Sequence, residues 1–260
     1  MPEWFLLPDL IPYSAAENMA RDEYLFQLCH TKKCGFLRFY SWDKPTFSFG
    51  VSQKISKAVN LKFLEQNHCS FVRRITGGKT VLHNDEITYA VVSSEDTFYR
   101  DNDLYKSYLL ISRVIVRAFE NIGVEAYLCK SHSSAYARTD HPCFSFPTLN
   151  EIEINGKKIV GSAQKRDKFA LLQHGSIPIT MDYKLYSGGS NANKNSLERR
   201  MTTFSEVSGK SKDELLRSLI ASFRDFLKLK FESYFLNRDD NNEIKKLTKK
   251  YNSRDWNFSL

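Results

Sequence analysis

The sequence predicts an α+β fold with a mixed, largely antiparallel sheet packed with helices, and three patterns carry that reading. β-prone runs follow one another with few helical crossovers between them, which favours antiparallel neighbours over βαβ units. An Asn155-Gly156 pair separates the runs Leu149 to Ile154 and Lys157 to Ser162, the residue choice that suits a type I′ hairpin turn. Amphipathic stripes, Leu104/Tyr108/Ile111/Ile115/Phe119 and Leu215/Leu219/Phe223/Phe226, recur at helical spacing and supply faces to cover such a sheet.

Taken in order, Ser14 to Cys29 reads as a first helix. Ser14 is the N-cap, Glu17 completes a capping box, and Met19, Leu25 and Phe26 face inward. Phe36 to Tyr40 and Thr46 to Val51 read as strands separated by a turn at Asp43-Lys44-Pro45. Asn60 to Asn67 reads as a short capped helix. Cys69 to Val72 and Ile87 to Val92 are β-prone runs on either side of a glycine-rich segment. Asp103 to Ile122 is an amphipathic helix stopped by Gly123. Cys129 to Pro147 shows no periodicity and is long for a loop, a length often tied to function. After the Asn-Gly hairpin come a strand over Ala170 to Ile179, a break at Ser187-Gly188-Gly189-Ser190-Asn191, a helix over Lys212 to Phe231 and a basic helix over Glu243 to Tyr251.

Composition bounds the function classes. A chain of 260 residues, 42% hydrophobic and rich in Phe and Tyr, can bury a real core. The net charge of +8 points to an acidic partner, but the basic residues are spread along the chain rather than massed as a nucleic-acid arm. The odd set of five cysteines, without a CxxC pair, implies reduced thiols and a cytoplasmic protein. Glu3, Pro8 and Asp9 interrupt the apolar start, which rules against a secretion signal. No window approaches the ~18 uninterrupted apolar residues of a membrane span.

The segment Arg73 to His83 is the most informative. A Gly77-Gly78 pair, flanked by Arg73, Arg74, Lys79 and His83, is either a β-hairpin with a polar turn or a backbone cradle for a carbonyl or phosphate. Cys143 sits in the long irregular loop, two residues from His141; most cysteines are small buried hydrophobes, yet this setting suits a nucleophile. Lys158 precedes the small residues Gly161, Ser162 and Ala163, which weaken a strand unless something must come close. His174 and Gly175 lie on the next strand. His83, His141 and His174 show no ligand spacing with a carboxylate or cysteine, so no metal site is expected.

The runs RRITGGKTVLHNDEITYAVV, CFSFPTLNEIEINGKKIVGSAQKR and LLQHGSI, in this order, resemble the lipoate–protein ligase and octanoyltransferase superfamily, with biotin–protein ligases as more distant relatives. ENMARDEYL and LRFYSWDKPTFSFGVSQ are similar to its N-terminal helix and first strands. The ligases of this superfamily carry a third glycine where Lys79 stands. Lys79, the Glu86-Ile87-Thr88-Tyr89 run and Cys143-Phe144 are instead closer to its cysteine-dependent octanoyltransferases.

The resemblance implies a biotin/lipoate–protein ligase catalytic domain over residues 1–205 and a short helical C-terminal tail over 206–260. It implies Cys143 and Lys158 as catalytic groups, and Arg74, Gly77, Gly78, Lys79, His83, Gly161, Ser162, Ala163, His174 and Gly175 around the acyl group. The expected donor is octanoyl-acyl carrier protein. The expected acceptor is a lysine on a lipoyl domain of a 2-oxoacid dehydrogenase or on the glycine cleavage H protein. No cofactor, nucleic acid or membrane is called for. The alternatives are a lipoate–protein ligase using ATP and magnesium, and a non-catalytic binder of acyl carriers or lipoyl domains.

Overall fold

The computed structural model describes residues 3–9, 11–94, 104–129 and 151–260. The chain runs β1 (Glu3–Leu7), α1 (Ala15–Thr31), β2 (Cys34–Tyr40), β3 (Thr46–Phe49), α2 (Ile55–Ala58), α3 (Leu61–Gln66), β4 (Ser70–Arg73), β5 (Val81–His83) and β6 (Glu86–Ser94). It continues through α4 (Leu104–Asn121), β7 (Tyr127–Leu128), β8 (Ile152–Ile154), β9 (Lys157–Lys158), β10 (Gly161–Arg166) and β11 (Ala170–Pro178). It ends with α5 (Tyr183–Ser190), α6 (Lys194–Arg200), α7 (Phe204–Val207), α8 (Lys212–Phe226), β12 (Phe231–Ser233), α9 (Arg238–Asn252) and α10 (Arg254–Asn257).

The α+β reading holds. A six-stranded sheet runs β10-β11-β6-β2-β1-β12. Its first four strands are mutually antiparallel, whereas β1 pairs parallel to both β2 and β12, so the sheet is mixed. One face packs on α4 and α8 through Ile111, Ile115, Phe119, Leu215, Leu219 and Phe223. The other packs on α1 through Met19, Leu25 and Phe26. Both faces are covered, so β2, β6 and β11 are buried along their whole length rather than alternating. Leu104, counted in the apolar stripe of α4, stands 55% exposed at its first turn.

Ser14 caps α1, its Oγ accepting the Glu17 N–H at 3.3 Å. Glu17 does not return the bond that a capping box requires; its carboxylate accepts from Arg21 at 2.9 Å. Asn60 caps α3 as the sequence indicates. The Asn155-Gly156 turn has both residues at positive φ, 52° and 73°, as a type I′ turn demands. The strand after this hairpin divides: β9 stays with β8, and β10 crosses to the edge of the large sheet.

Three sequence expectations are corrected. Residues 187–191 are not a break: Tyr183–Ser190 is helical, and Gly188 and Gly189 let α5 lie against the rings of Phe63 and Phe47. The helix from Lys212 stops at Phe226, and Phe231 belongs to β12. The glycine turn is not a hairpin. β4 and β5 are not partners; both flank β3, and the Ile87 to Val92 run lies in the other sheet. Past residue 205 the chain is mostly helical, and α9 packs along α1 while α10 closes on β4.

Candidate active site

Adjacent arginines at the end of β4 serve opposite sides of the strand, as the two-residue period of β structure requires. Arg73 is fully buried, and its guanidinium donates to the carbonyls of Val51 (2.8 Å), Gln53 (2.7 Å) and Asn257 (2.9 Å). Arg74 turns inward. Its Nη2 donates to the carbonyls of Gly77 and Lys79, each at 3.0 Å, and so closes the glycine turn on itself. Gly78 sits at φ +85°, where an L side chain is strained. A Cβ there would lie 3.4 Å from the Ala163 Cβ, so the turn meets β10 directly.

Two sequence runs far apart in the chain therefore wall one small cavity. Arg74, Gly78 and His83 line it from the first run, Gly161, Ser162 and Ala163 from the second, and His174 and Gly175 from β11. Met19, Tyr40, Trp42 and Val81 supply its apolar surface. Gly175 lets β11 pack closely against β10 and the Tyr89 ring. A Cβ at that position would fall 2.6 Å from Tyr89 Cε1 and 2.8 Å from the Gly161 carbonyl. Tyr89, whose hydroxyl burial pushes up to about 12, holds Ser162 Oγ at 2.7 Å.

Both histidines are held by carboxylates. His174 Nδ1 is 2.8 Å from Asp22 Oδ2, and His83 Nδ1 is 2.6 Å from Glu86 Oε1. Trp42 stacks on His83 with ring centroids 4.2 Å apart. Burial disfavours the imidazolium and holds His174 below its ordinary value, against the opposing pull of Asp22. Burial pushes the Asp22 carboxyl up, but the His174 hydrogen bond and the Arg38 guanidinium outweigh it and hold Asp22 below the ordinary carboxylate value. Glu86 is likewise held down, against its burial, by His83 and by hydroxyls of Ser176 and Thr88. Among the described residues, no three His, Cys, Asp or Glu side chains gather as metal ligands would.

The remaining expected site residues fall elsewhere. Gly77 and Lys79 contribute carbonyls to the Arg74 clamp rather than cavity wall. Lys158 is buried on β9 and is not a lining residue of this cavity; its Nζ sits 2.5 Å from Glu151 Oε1. Cys143 and His141 lie outside the described residues. Sequence reading missed Asp22, Ser48, Thr76 and Glu86. Glu86 carried one signal, three residues after His83 at the start of a strand; Asp22 is buried in the middle of α1 and carried none.

A mixed sheet covered by helices on both faces, with this cavity at the glycine turn, has the fold of the lipoate-protein ligases. The chain belongs to the family of the lipoyl protein ligase A/B catalytic domain, whose model matches residues 14–226. It is 34% identical over 262 residues to octanoyltransferase LipM of Bacillus cereus, covering 94% of each chain. It is 32% identical to octanoyltransferase LipM of Bacillus subtilis, again covering 94% of each. Among solved structures, lipoate-protein ligase A bound with ATP superposes with a TM-score of 0.85 at 23% identity, covering 100% of both chains. A bipartite lipoate protein ligase of Thermoplasma acidophilum, solved in a study that includes its E2 lipoyl domain, superposes with a TM-score of 0.84 at 23% identity, covering 100% of this chain and 98% of that one. These structural likenesses concern the fold. Among the described residues no helix is long and apolar enough to cross a membrane.

Proposed function

We propose that this protein transfers an octanoyl group from an acyl carrier protein thioester to a lysine of a lipoyl domain, through a thioester on Cys143. The observation that carries the reading is the cavity, apolar on one side and closed on the other by the Arg74-clamped glycine turn. Relatives called octanoyltransferase, matching nearly the whole chain, support the acyl group and the reaction class. Burying the tail contributes about 0.8 kcal/mol per CH₂, which suits an uncharged saturated chain.

Two transfers make up the reaction. The Cys143 thiolate attacks the carrier thioester carbonyl, and the carrier thiolate leaves with a proton. One thioester replaces another, so no nucleotide is consumed. The acceptor lysine amine then attacks the acyl-enzyme. An amide forms, the amine proton is lost, and the Cys143 thiol is regenerated. In this reading the Lys158 ammonium favours the thiolate and the developing negative charge, and backbone N–H groups near Gly77-Gly78 or Gly161-Ser162 hold the oxyanion. The net charge of +8 suits steering toward acidic carrier and acceptor domains.

The test compares donors. Octanoyl carrier protein without ATP should octanoylate a lipoyl domain, and the enzyme should gain the octanoyl mass, with Cys143→Ser showing neither. Pyrophosphate release from ATP with lipoate, and a Cys143→Ser variant of full activity, would instead identify an adenylating ligase. No turnover with either donor would identify a binder.

A further inference from the structure

Two hydrogen-bonded chains leave Arg74 in opposite directions and end alike. On one side Arg74 Nη1 donates to Ser48 Oγ at 2.7 Å, and that oxygen lies 2.6 Å from His83 Nε2. His83 Nδ1 then meets Glu86 Oε1 at 2.6 Å. On the other side Arg74 Nε reaches Thr76 Oγ1 at 3.4 Å, and that oxygen lies 2.7 Å from His174 Nε2. His174 Nδ1 meets Asp22 Oδ2 at 2.8 Å. Each arm reads guanidinium, hydroxyl, imidazole, carboxylate.

The ends constrain the protons between them. A guanidinium only donates, and an ionised carboxylate only accepts. Each hydroxyl accepts from Arg74 and has its own proton to give to a ring Nε2. Each ring carries its proton on Nδ1 and donates it to the carboxylate. Both carboxylates are surrounded by donors that keep them ionised. Asp22 also accepts from Arg38 Nη1 (2.7 Å) and Tyr40 Oη (2.9 Å). Glu86 also accepts from Trp42 Nε1 (3.1 Å), Thr88 and Ser176. Neutral Nδ1–H tautomers at both rings give every donor and acceptor along the two arms a partner.

Ser48, His83 and Glu86 have the spacing of a hydrolase triad, yet Ser48 is not a nucleophile. It is fully buried, it is not a lining residue of the cavity, and its oxygen already takes an N–H from Arg74. Chemistry falls to what the arms hold in place. Arg74 lines the cavity and braces the glycine turn, so the geometry of both depends on where the hydroxyls fix its guanidinium.

We propose that Glu86 and Asp22 are positioning residues for the transfer: they hold His83 and His174 as Nδ1–H tautomers, which through Ser48 and Thr76 orient the Arg74 guanidinium in the cavity wall. The proposal rests on the octanoyl-transfer reading for its kinetics but not for its proton placement. A site without this lock would let either ring flip to Nε2–H, turn the hydroxyl away, and release Arg74 from one side.

Long-range ¹H–¹⁵N spectra of the histidine rings test the proton placement directly. The expected result is Nδ1–H for both His83 and His174 in the wild-type protein; an Nε2–H tautomer or an imidazolium for either ring at neutral pH overturns the proposal. Glu86→Gln should give a mixed His83 tautomer and a fall in kcat of about 10²-fold, the size expected when a reacting geometry is misplaced, with KM for the octanoyl donor little changed. If Glu86→Gln does not fold, Ser48→Ala leaves the His83–Glu86 pair intact and cuts only its link to Arg74. That variant should keep the His83 tautomer and lose kcat; a wild-type kcat in folded Ser48→Ala overturns the positioning role. Failure of the wild type to transfer octanoate at all would reject the functional reading, and the ring spectra would still report on the tautomers.

Discussion

Lys158 and Glu151 form an ion pair with their charged atoms 2.5 Å apart and their side chains 1% and 3% exposed. A single substitution at Lys158 therefore does two things at once: it removes a candidate catalytic ammonium and leaves a carboxylate buried. Breaking a buried pair from one side costs about 3–5 kcal/mol, whereas replacing both partners by apolar side chains is often neutral. Lys158→Ala should lose both transfer and much of its stability. The double variant Lys158→Met with Glu151→Met should melt near the wild-type temperature and remain inactive. Transfer activity in the folded double variant would remove Lys158 from the mechanism.

The glycine pair should separate under substitution. Gly78 has φ +85°, and forcing an L residue there costs about 1–2 kcal/mol. Gly77 has no positive φ, and a Cβ on it meets nothing within 4 Å. Gly77→Ala should unfold in urea within about 0.5 kcal/mol of wild type, as surface substitutions do. Gly78→Ala should lose stability and also transfer rate, because relieving the positive φ would shift the turn that Arg74 clamps. Equal effects at the two positions would show that the turn is not held in the conformation described.

Acid should destabilise the folded protein from near neutrality downward. His174 has its folded value depressed below the ordinary 6.5, so the unfolded chain takes up its proton first. Stability from this ring is complete above about pH 6.5 and is lost as pH falls from there toward the depressed folded value. Asp22 and Glu86, both depressed, add a second loss below their ordinary values of 3.8 and 4.5. Urea midpoints measured from pH 8 to pH 3 should be flat at first and then fall in two stages. His174→Gln should remove the first decline and leave the second. A wild-type midpoint constant down to pH 5 would contradict the burial of a neutral ring.

The wall of the cavity was legible in the sequence, and its proton network was not. Gly161 to Ala163 stood out because small residues in a strand have few other reasons to be there, Gly78 as half of a glycine pair, and Gly175 only through the family resemblance. His83 and His174 stood out as polar groups inside β-prone runs. Ser48, Thr76 and Asp22 gave no such sign, because a buried hydroxyl or a mid-helix aspartate is recognisable only once its partner is known. The pairing of strands failed for a related reason. The Cys69 to Val72 and Ile87 to Val92 runs flank the glycine turn and look like a hairpin, but the parallel partner of β4 is β3, and a parallel pairing leaves no turn signature. Gly188 and Gly189 looked like a linker because composition cannot tell a flexible glycine from one that makes room for a neighbouring ring.

The C-terminal segment is predicted to be required for the cavity, although the family match ends at residue 226. Asn257 accepts the Arg73 backbone N–H at 2.8 Å, and Trp256 Nε1 donates to the Arg73 carbonyl at 2.9 Å. The Arg73 guanidinium in turn donates to the carbonyls of Trp256 (3.1 Å) and Asn257 (2.9 Å). Arg74, one residue on, is the clamp of the glycine turn, so the last turn of the chain fixes the strand end from which the clamp projects. Lysine at position 73 cannot supply the five-donor fork. Arg73→Lys leaves buried carbonyls unpaired at about 1–3 kcal/mol for each group that loses its bond. Thermal unfolding of Arg73→Lys and of a chain ending at residue 252 should show comparable losses, and both should lose transfer activity. A truncated chain that melts like the wild type and still transfers the acyl group would show that β4 holds its end without the tail.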